Sequence, residues 1–234
     1  MKQRIWELDA FRGICILGVI IIHTVFDLTT LYGLVDWTLP AWFQWIQQWG
    51  GILFILLSGI CATLGRHHLK RGAAVLLCGL LVTAVTAGMV LLGLADPSLI
   101  IYFGVLHCLG VCMLSWELFR RLPTAVLGPL GAVMAVAGLI LLRNVFELPH
   151  FLVIFGFLYP GFSSSDYFPL LPYLGFFLVG AAMGRTLYAK RVSLLPAVDP
   201  GNPVIRFLTF CGRQSLWIYL LHQPLLAGLF YLLA

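Results

Sequence analysis

Residues 72–95 read GAAVLLCGLLVTAVTAGMVLLGLA, a run without a single charged side chain. As an α-helix rising 1.5 Å per residue it is ~36 Å long, enough to cross the ~30 Å hydrocarbon core of a bilayer. Five further charge-free runs share this character: Trp37–Gly65, Pro97–Trp116, Leu122–Leu142, Tyr167–Gly184 and Gln214–Ala234. Of the 234 residues, 61% are hydrophobic and 10% charged, whereas a soluble domain carries about 25% charged residues. Too little charge remains to cover a water-facing surface. The fold class is therefore all-α, a polytopic membrane helix bundle.

The periodic runs place seven spans at about 12–32, 45–65, 72–94, 98–118, 122–142, 167–187 and 207–232. Lysine and arginine collect in short cytoplasmic loops. With the N terminus inside and the C terminus outside, every basic residue from Lys2 to Arg213 except Arg143 falls on the inner side. Counting 148–160 as an eighth span would move Arg185, Lys190, Arg191, Arg206 and Arg213 outside. Pro149 and Pro160 also bracket that segment, so it reads as a short or re-entrant piece on the outer side. The net charge of +5 is thus topological and does not point to nucleic acid. The first apolar run contains His23 and Asp27 and lacks the small-residue cleavage site of a signal peptide. Trp37, Trp42, Trp45 and Trp49 suggest a surface-lying helix leading into the second span. The six cysteines lie in apolar segments and read as packing residues, Cys108 and Cys112 included; no metal site is expected. With no internal repeat, residues 1–234 form one domain.

Ionisable groups inside spans are costly and mark function. His23, His107 and His222 qualify, and all three fall between the midplane and the outer leaflet. A single such histidine is ordinarily a hydrogen-bonded packing residue; three at one depth form a set. Asp27 shares a helix face with His23 at i, i+4, where it can orient the imidazole or simply meet interfacial water. Ser215, Tyr219 and His222 stand at i, i+4 and i+7, with Arg213 at the start of the row. That stripe suits a lined passage or interhelical hydrogen bonding.

These residues resemble a family. LDAFRGICILGVIIIH (Leu8–His23) is similar to the first-helix signature of the transmembrane acyltransferase superfamily, an arginine followed by a histidine eleven positions on. LFILLSGI (Leu53–Ile60), FGVLHCLGVCML (Phe103–Leu114), DYFPLLPYLGFFLVG (Asp166–Gly180) and CGRQSLWIYLLHQPLL (Cys211–Leu226) resemble the bacterial relatives of heparan-alpha-glucosaminide N-acetyltransferase. The resemblance implies an inner-membrane enzyme that moves acetyl from cytosolic acetyl-CoA to a hydroxyl or amine, carbohydrate-like, on the far side. Its partners are then the small-molecule donor, that acceptor and membrane lipid; a homo-oligomer is left open. Lysosomal members carry a histidine in the first luminal loop, but this sequence has none between Thr24 and Gly65. The chemical centre therefore moves to His23, held by Asp27 and supported by His107 or His222.

The inner helix ends supply Arg12, Arg66, Arg71, Arg185 and Arg213 for the phosphates of CoA. Ser215 and Tyr219 line the way for its pantetheine arm, and Asp166 and Tyr167 stand near the acceptor. Two other functions use the same residues: a proton-coupled transporter along the Arg213–His222 stripe, and a haem held between two histidines. The topology is open to labelling. Cysteines introduced at Lys190 and Asp166 should react with a membrane-impermeant maleimide from opposite sides, and labelling of both from outside would refute the seven-span assignment.

Overall fold

A computed structural model describes residues 4–233, leaving aside the side chains of Leu31, Gln48, Tyr231 and Leu233. Lys2, counted among the inner-side cations, lies outside these residues. Eight α-helices follow one another: α1 (Trp6–Phe26), α2 (Ala41–Leu64), α3 (His68–Leu91), α4 (Val105–Phe119), α5 (Thr124–Leu141), α6 (Leu170–Leu187), α7 (Pro203–Arg213) and α8 (Ser215–Leu233). Among the described residues five stretches are long and apolar enough to cross a membrane: Trp6–Thr30, Ala41–Leu64, His68–Leu91, Thr124–Leu141 and Leu170–Leu187; Val105–Phe119 and Ser215–Phe230 are shorter apolar helices. Leu77, Leu80 and Leu81 of α3 stand more than half exposed, as lipid-facing side chains do.

Three expectations need correction. The last span does not run unbroken from 207 to 232. Gln214 leaves the helical region at φ −95° and ψ 9°, separating α7 from α8, so His222 sits seven residues into α8. The tryptophan-rich segment is not a separate surface helix, because α2 runs continuously from Ala41 and carries Trp42 and Trp45 as exposed side chains. Finally, α4 begins only at Val105, since Asp96 caps a short 3-10 turn at Pro97–Leu99 and the backbone is non-helical from Ile100 to Gly104. His107 is therefore the third residue of its helix. Within 148–160 the chain makes one 3-10 segment, His150–Phe155. At ~2 Å per residue this is far short of a span.

The chain divides into two compact units, Met1–Phe54 with Lys190–Ala234, and Ile55–Ala189. In the first unit α1 packs on α7 at backbone distance. A Cβ on Gly212 would strike the Asp9 carbonyl oxygen, and one on Gly13 would strike that of Leu208. In the second unit α5 and α6 meet through Gly131, Gly138 and Gly175, and α3 meets α4 through Gly72, Gly79 and Gly110. Lipid offers helices no hydrophobic gain on pairing, so close backbone contact through small residues supplies the attraction.

The α1–α7 contact yields a direct expectation. Gly212→Leu should lower the thermal unfolding temperature, an overpacking cost of about 1–3 kcal/mol. Gly228→Leu, at a position with open space around it, should leave that temperature unchanged.

Candidate functional site

The first unit gathers His23, Asp27, Tyr219 and His222, and adds Gln223. His23 lies in the last turn of α1, and the His23 and His222 rings meet edge to face with centroids 4.9 Å apart. Rings this close leave no room between them for a haem iron. His222 is 7% exposed, and its Nδ1 lies 2.6 Å from the Tyr219 carbonyl oxygen. A carbonyl only accepts, so Nδ1 carries the proton and donates. In the neutral ring that leaves the lone pair on Nε2, which is buried and has no hydrogen-bond partner among the described residues.

Asp27 closes α1 and opens a π-helical turn, Asp27–Leu31. Such turns are frequent at functional sites. Its carboxylate is fully buried and accepts from Gln223 Nε2 at 3.2 Å (Oδ1) and 3.0 Å (Oδ2). The i, i+4 spacing suggested that Asp27 would orient His23; in the structure the carboxylate is held by Gln223 and the ring facing His23 is that of His222. Because the Gln223 amide turns its nitrogen to the acid, its Oε1 points away, buried and without a partner among the described residues.

At the other end of α1 the buried side chain of Asp9 draws in three arginines. Arg12 Nη1 donates to Oδ1 at 3.3 Å, while Arg4 Nε stands 2.8 Å and Arg213 Nε 3.5 Å from Oδ2. Those last two are charge contacts without hydrogen-bond alignment. Arg12 and Arg213 thus stand together around one acid. The row from Arg213 to Ser215, however, is interrupted at Gln214.

The second unit holds the remaining residues. His107 accepts the Gly104 N–H at Nδ1 (3.2 Å), so Nε2 is its donor, 3.2 Å from Thr83 Oγ1. The Thr83 hydroxyl in turn donates to the Ile101 carbonyl. Both ring nitrogens are taken by the fold. Asp166 Oδ2 accepts the Val105 N–H at 3.0 Å and so caps α4; a Cβ on Gly104 would occupy the place of that oxygen. Tyr167 donates to the Val153 carbonyl at 2.6 Å. Burial, with Tyr173 adding to it, pushes its phenol above the ordinary range, so it stays a donor. Arg66 and Arg71 are exposed around the α2–α3 turn. Arg185 donates to the Leu122 and Arg120 carbonyls, its guanidinium 5.2 Å over the Trp116 ring. Among the described residues no group of three or more His, Cys, Asp or Glu side chains is placed to hold a metal ion.

A family model described as heparan-alpha-glucosaminide N-acetyltransferase, catalytic, matches residues 4–224. The chain belongs to this family. No curated protein and no solved structure matches it. As a member of the heparan-alpha-glucosaminide N-acetyltransferase catalytic family it is a membrane acetyltransferase by descent, and the match takes in every site residue from Asp9 to Gln223. Two of these, Asp9 and Gln223, escape a sequence reading that looks for histidines and arginines. The available signals were the i, i+3 spacing of Asp9 and Arg12, and an amide beside His222 in an apolar helix.

The Asp27–Gln223 pair can be tested by substitution. Gln223→Leu leaves a buried carboxylate without its donor and should cost about 1–3 kcal/mol, whereas replacing both partners by apolar groups can be nearly neutral. Thermal unfolding of Gln223→Leu, Asp27→Leu and the double variant should therefore show the double variant as no less stable than Gln223→Leu alone.

Proposed function

We propose that the protein transfers acetyl from cytosolic acetyl-CoA to a hydroxyl or amine of a carbohydrate-like acceptor on the outer side of the bacterial inner membrane. The observation that carries this reading is the His23–His222 pair, with one imidazole lone pair buried and unfilled among the described residues. A histidine whose Nδ1–H is fixed on a carbonyl presents Nε2 as a base, and an unperturbed imidazole gives and takes protons near neutrality. In the transfer, the acceptor oxygen or nitrogen bonds to the thioester carbonyl carbon as the carbon–sulfur bond breaks. The acceptor's proton goes to the imidazole pair and is returned to the departing CoA thiolate. An acetyl-histidine route would use the same lone pair as nucleophile.

His23 lies eleven residues beyond Arg12, ~16 Å along α1. A pantetheine arm can span that distance while the phosphates rest on Arg12 and Arg213. Ser215 and Tyr219, on the His222 side of α8, flank its path. The stripe that favoured a proton-coupled transporter is broken at Gln214, and the transferase reading needs no continuous track.

CoA release from acetyl-CoA, with glucosamine as trial acceptor, tests the proposal. His23→Ala and His222→Ala should each lower turnover by about 100-fold or more, the range of general-base catalysis, while CoA binding stays intact. Arg12→Ala should weaken CoA binding by about tenfold or more, as expected for a charge-assisted contact. Full turnover in both histidine variants, or a larger loss in His107→Ala, would overturn the assignment.

A further inference from the structure

One of the arginines around Asp9, Arg213, also forms the wall of a cleft. Within the same unit, Trp6, Gly201, Arg206, Thr209 and Arg213 line a cleft of about 590 Å³. Arg213 belongs to both arrangements: its Nε faces Asp9 Oδ2 and its side chain forms cleft wall. Glu7 Oε1 accepts the Leu194 N–H and Asp199 Oδ1 the Gly201 N–H, each at 2.8 Å; neither acid lines the cleft. Arg206 and Arg213 are the charged side chains of its wall, and Trp6 supplies a flat ring. Guanidinium forks suit phosphate oxygens, and an indole face suits the stacking of a base.

We propose that Asp9 is a positioning residue: by holding Arg213 together with Arg4 and Arg12, it sets the cleft to take a phosphate-bearing head group, that of the donor nucleotide. This rests on the acetyl-CoA reading and adds to it the residue that orders the phosphate site and the cleft that receives it. The carboxylate does not touch the ligand. It competes with the ligand for the same arginines, and that competition makes the sign of its removal informative. If only charge mattered, deleting a negative group from a cationic site would tighten anion binding. If Asp9 positions the guanidinium groups, deleting it loosens the site and weakens binding.

The measurement uses adenosine 3′,5′-bisphosphate, the phosphorylated head of CoA without its arm, titrated into the full chain in phospholipid-free detergent. Wild type should bind it, Asp9→Asn should bind about tenfold more weakly, and Asp9→Glu should recover part of the loss, as expected for contacts between charged groups. Tighter binding by Asp9→Asn overturns the proposal. Should Asp9→Asn fail to fold, Arg206→Ala, an exposed side chain on the cleft wall, decides: unchanged affinity overturns the proposal and a comparable loss supports it. A second arm uses nanodiscs of phosphatidylcholine with and without phosphatidylglycerol. Displacement of the bisphosphate by phosphatidylglycerol alone supports the phosphate site but gives it to a lipid head group, overturning the nucleotide assignment. No binding of either overturns both. Binding of the bisphosphate without any acetyl-CoA turnover would fell the transferase reading and leave this site standing; normal turnover with unaltered affinity in both variants would do the reverse.

Discussion

A carboxylate on a membrane helix has little water to turn to, so its partners must come from the protein. Helix α1 carries two buried ones, Asp9 and Asp27, eighteen residues apart and so ~27 Å along the axis, close to the thickness of the hydrocarbon layer. One is answered by arginines from the start of the chain, from α1 itself and from the end of α7; the other by Gln223 of α8. The glycine contact between α1 and α7 follows the same logic. Without backbone approach at Gly13 and Gly212, Arg213 could not stand beside Asp9. The pairing of α1 with α7 and α8 thus orders both ends of the first unit.

His107 and His222 show how the same residue type serves two ends. In His107 the Gly104 amide and the Thr83 hydroxyl engage both nitrogens, leaving nothing for a substrate. In His222 a carbonyl accepts the Nδ1–H, and the other nitrogen faces no donor among the described residues. A buried polar atom without a partner costs about 1–3 kcal/mol. Such atoms are uncommon in folded proteins and call for an explanation. Here two of them, His222 Nε2 and Gln223 Oε1, sit on consecutive residues.

Apolar run length was enough to read the helices, because in lipid the hydrogen-bonded helix is the natural way for a single segment to satisfy its backbone. It was not enough to read the break at Gln214, since an arginine and a glutamine at an interface disturb no apolar period. The tie of Asp166 to the start of α4 links residues 61 positions apart, which local pattern does not report. Arg12, His23 and His222 were legible from residue type and spacing. Asp9 and Gln223 were not: the first looked like one more charge at a helix end, and the second gains meaning only from a partner 196 residues away.

That separation bears on biosynthesis. The ribosome adds about 5–20 residues per second, so α1 is made some ten to forty seconds before the segment that carries Gln223. During that interval Asp27 has no Gln223, and Asp9 has Arg4 and Arg12 but not Arg213. Helix α1 must therefore wait at the insertion machinery, or in the bilayer with its acid near the surface, until α7 and α8 arrive. Helices α3 to α6, whose close contacts lie within Ile55–Ala189, can assemble meanwhile. Helix α1 is made before α7 and α8, yet it is secured only when they arrive.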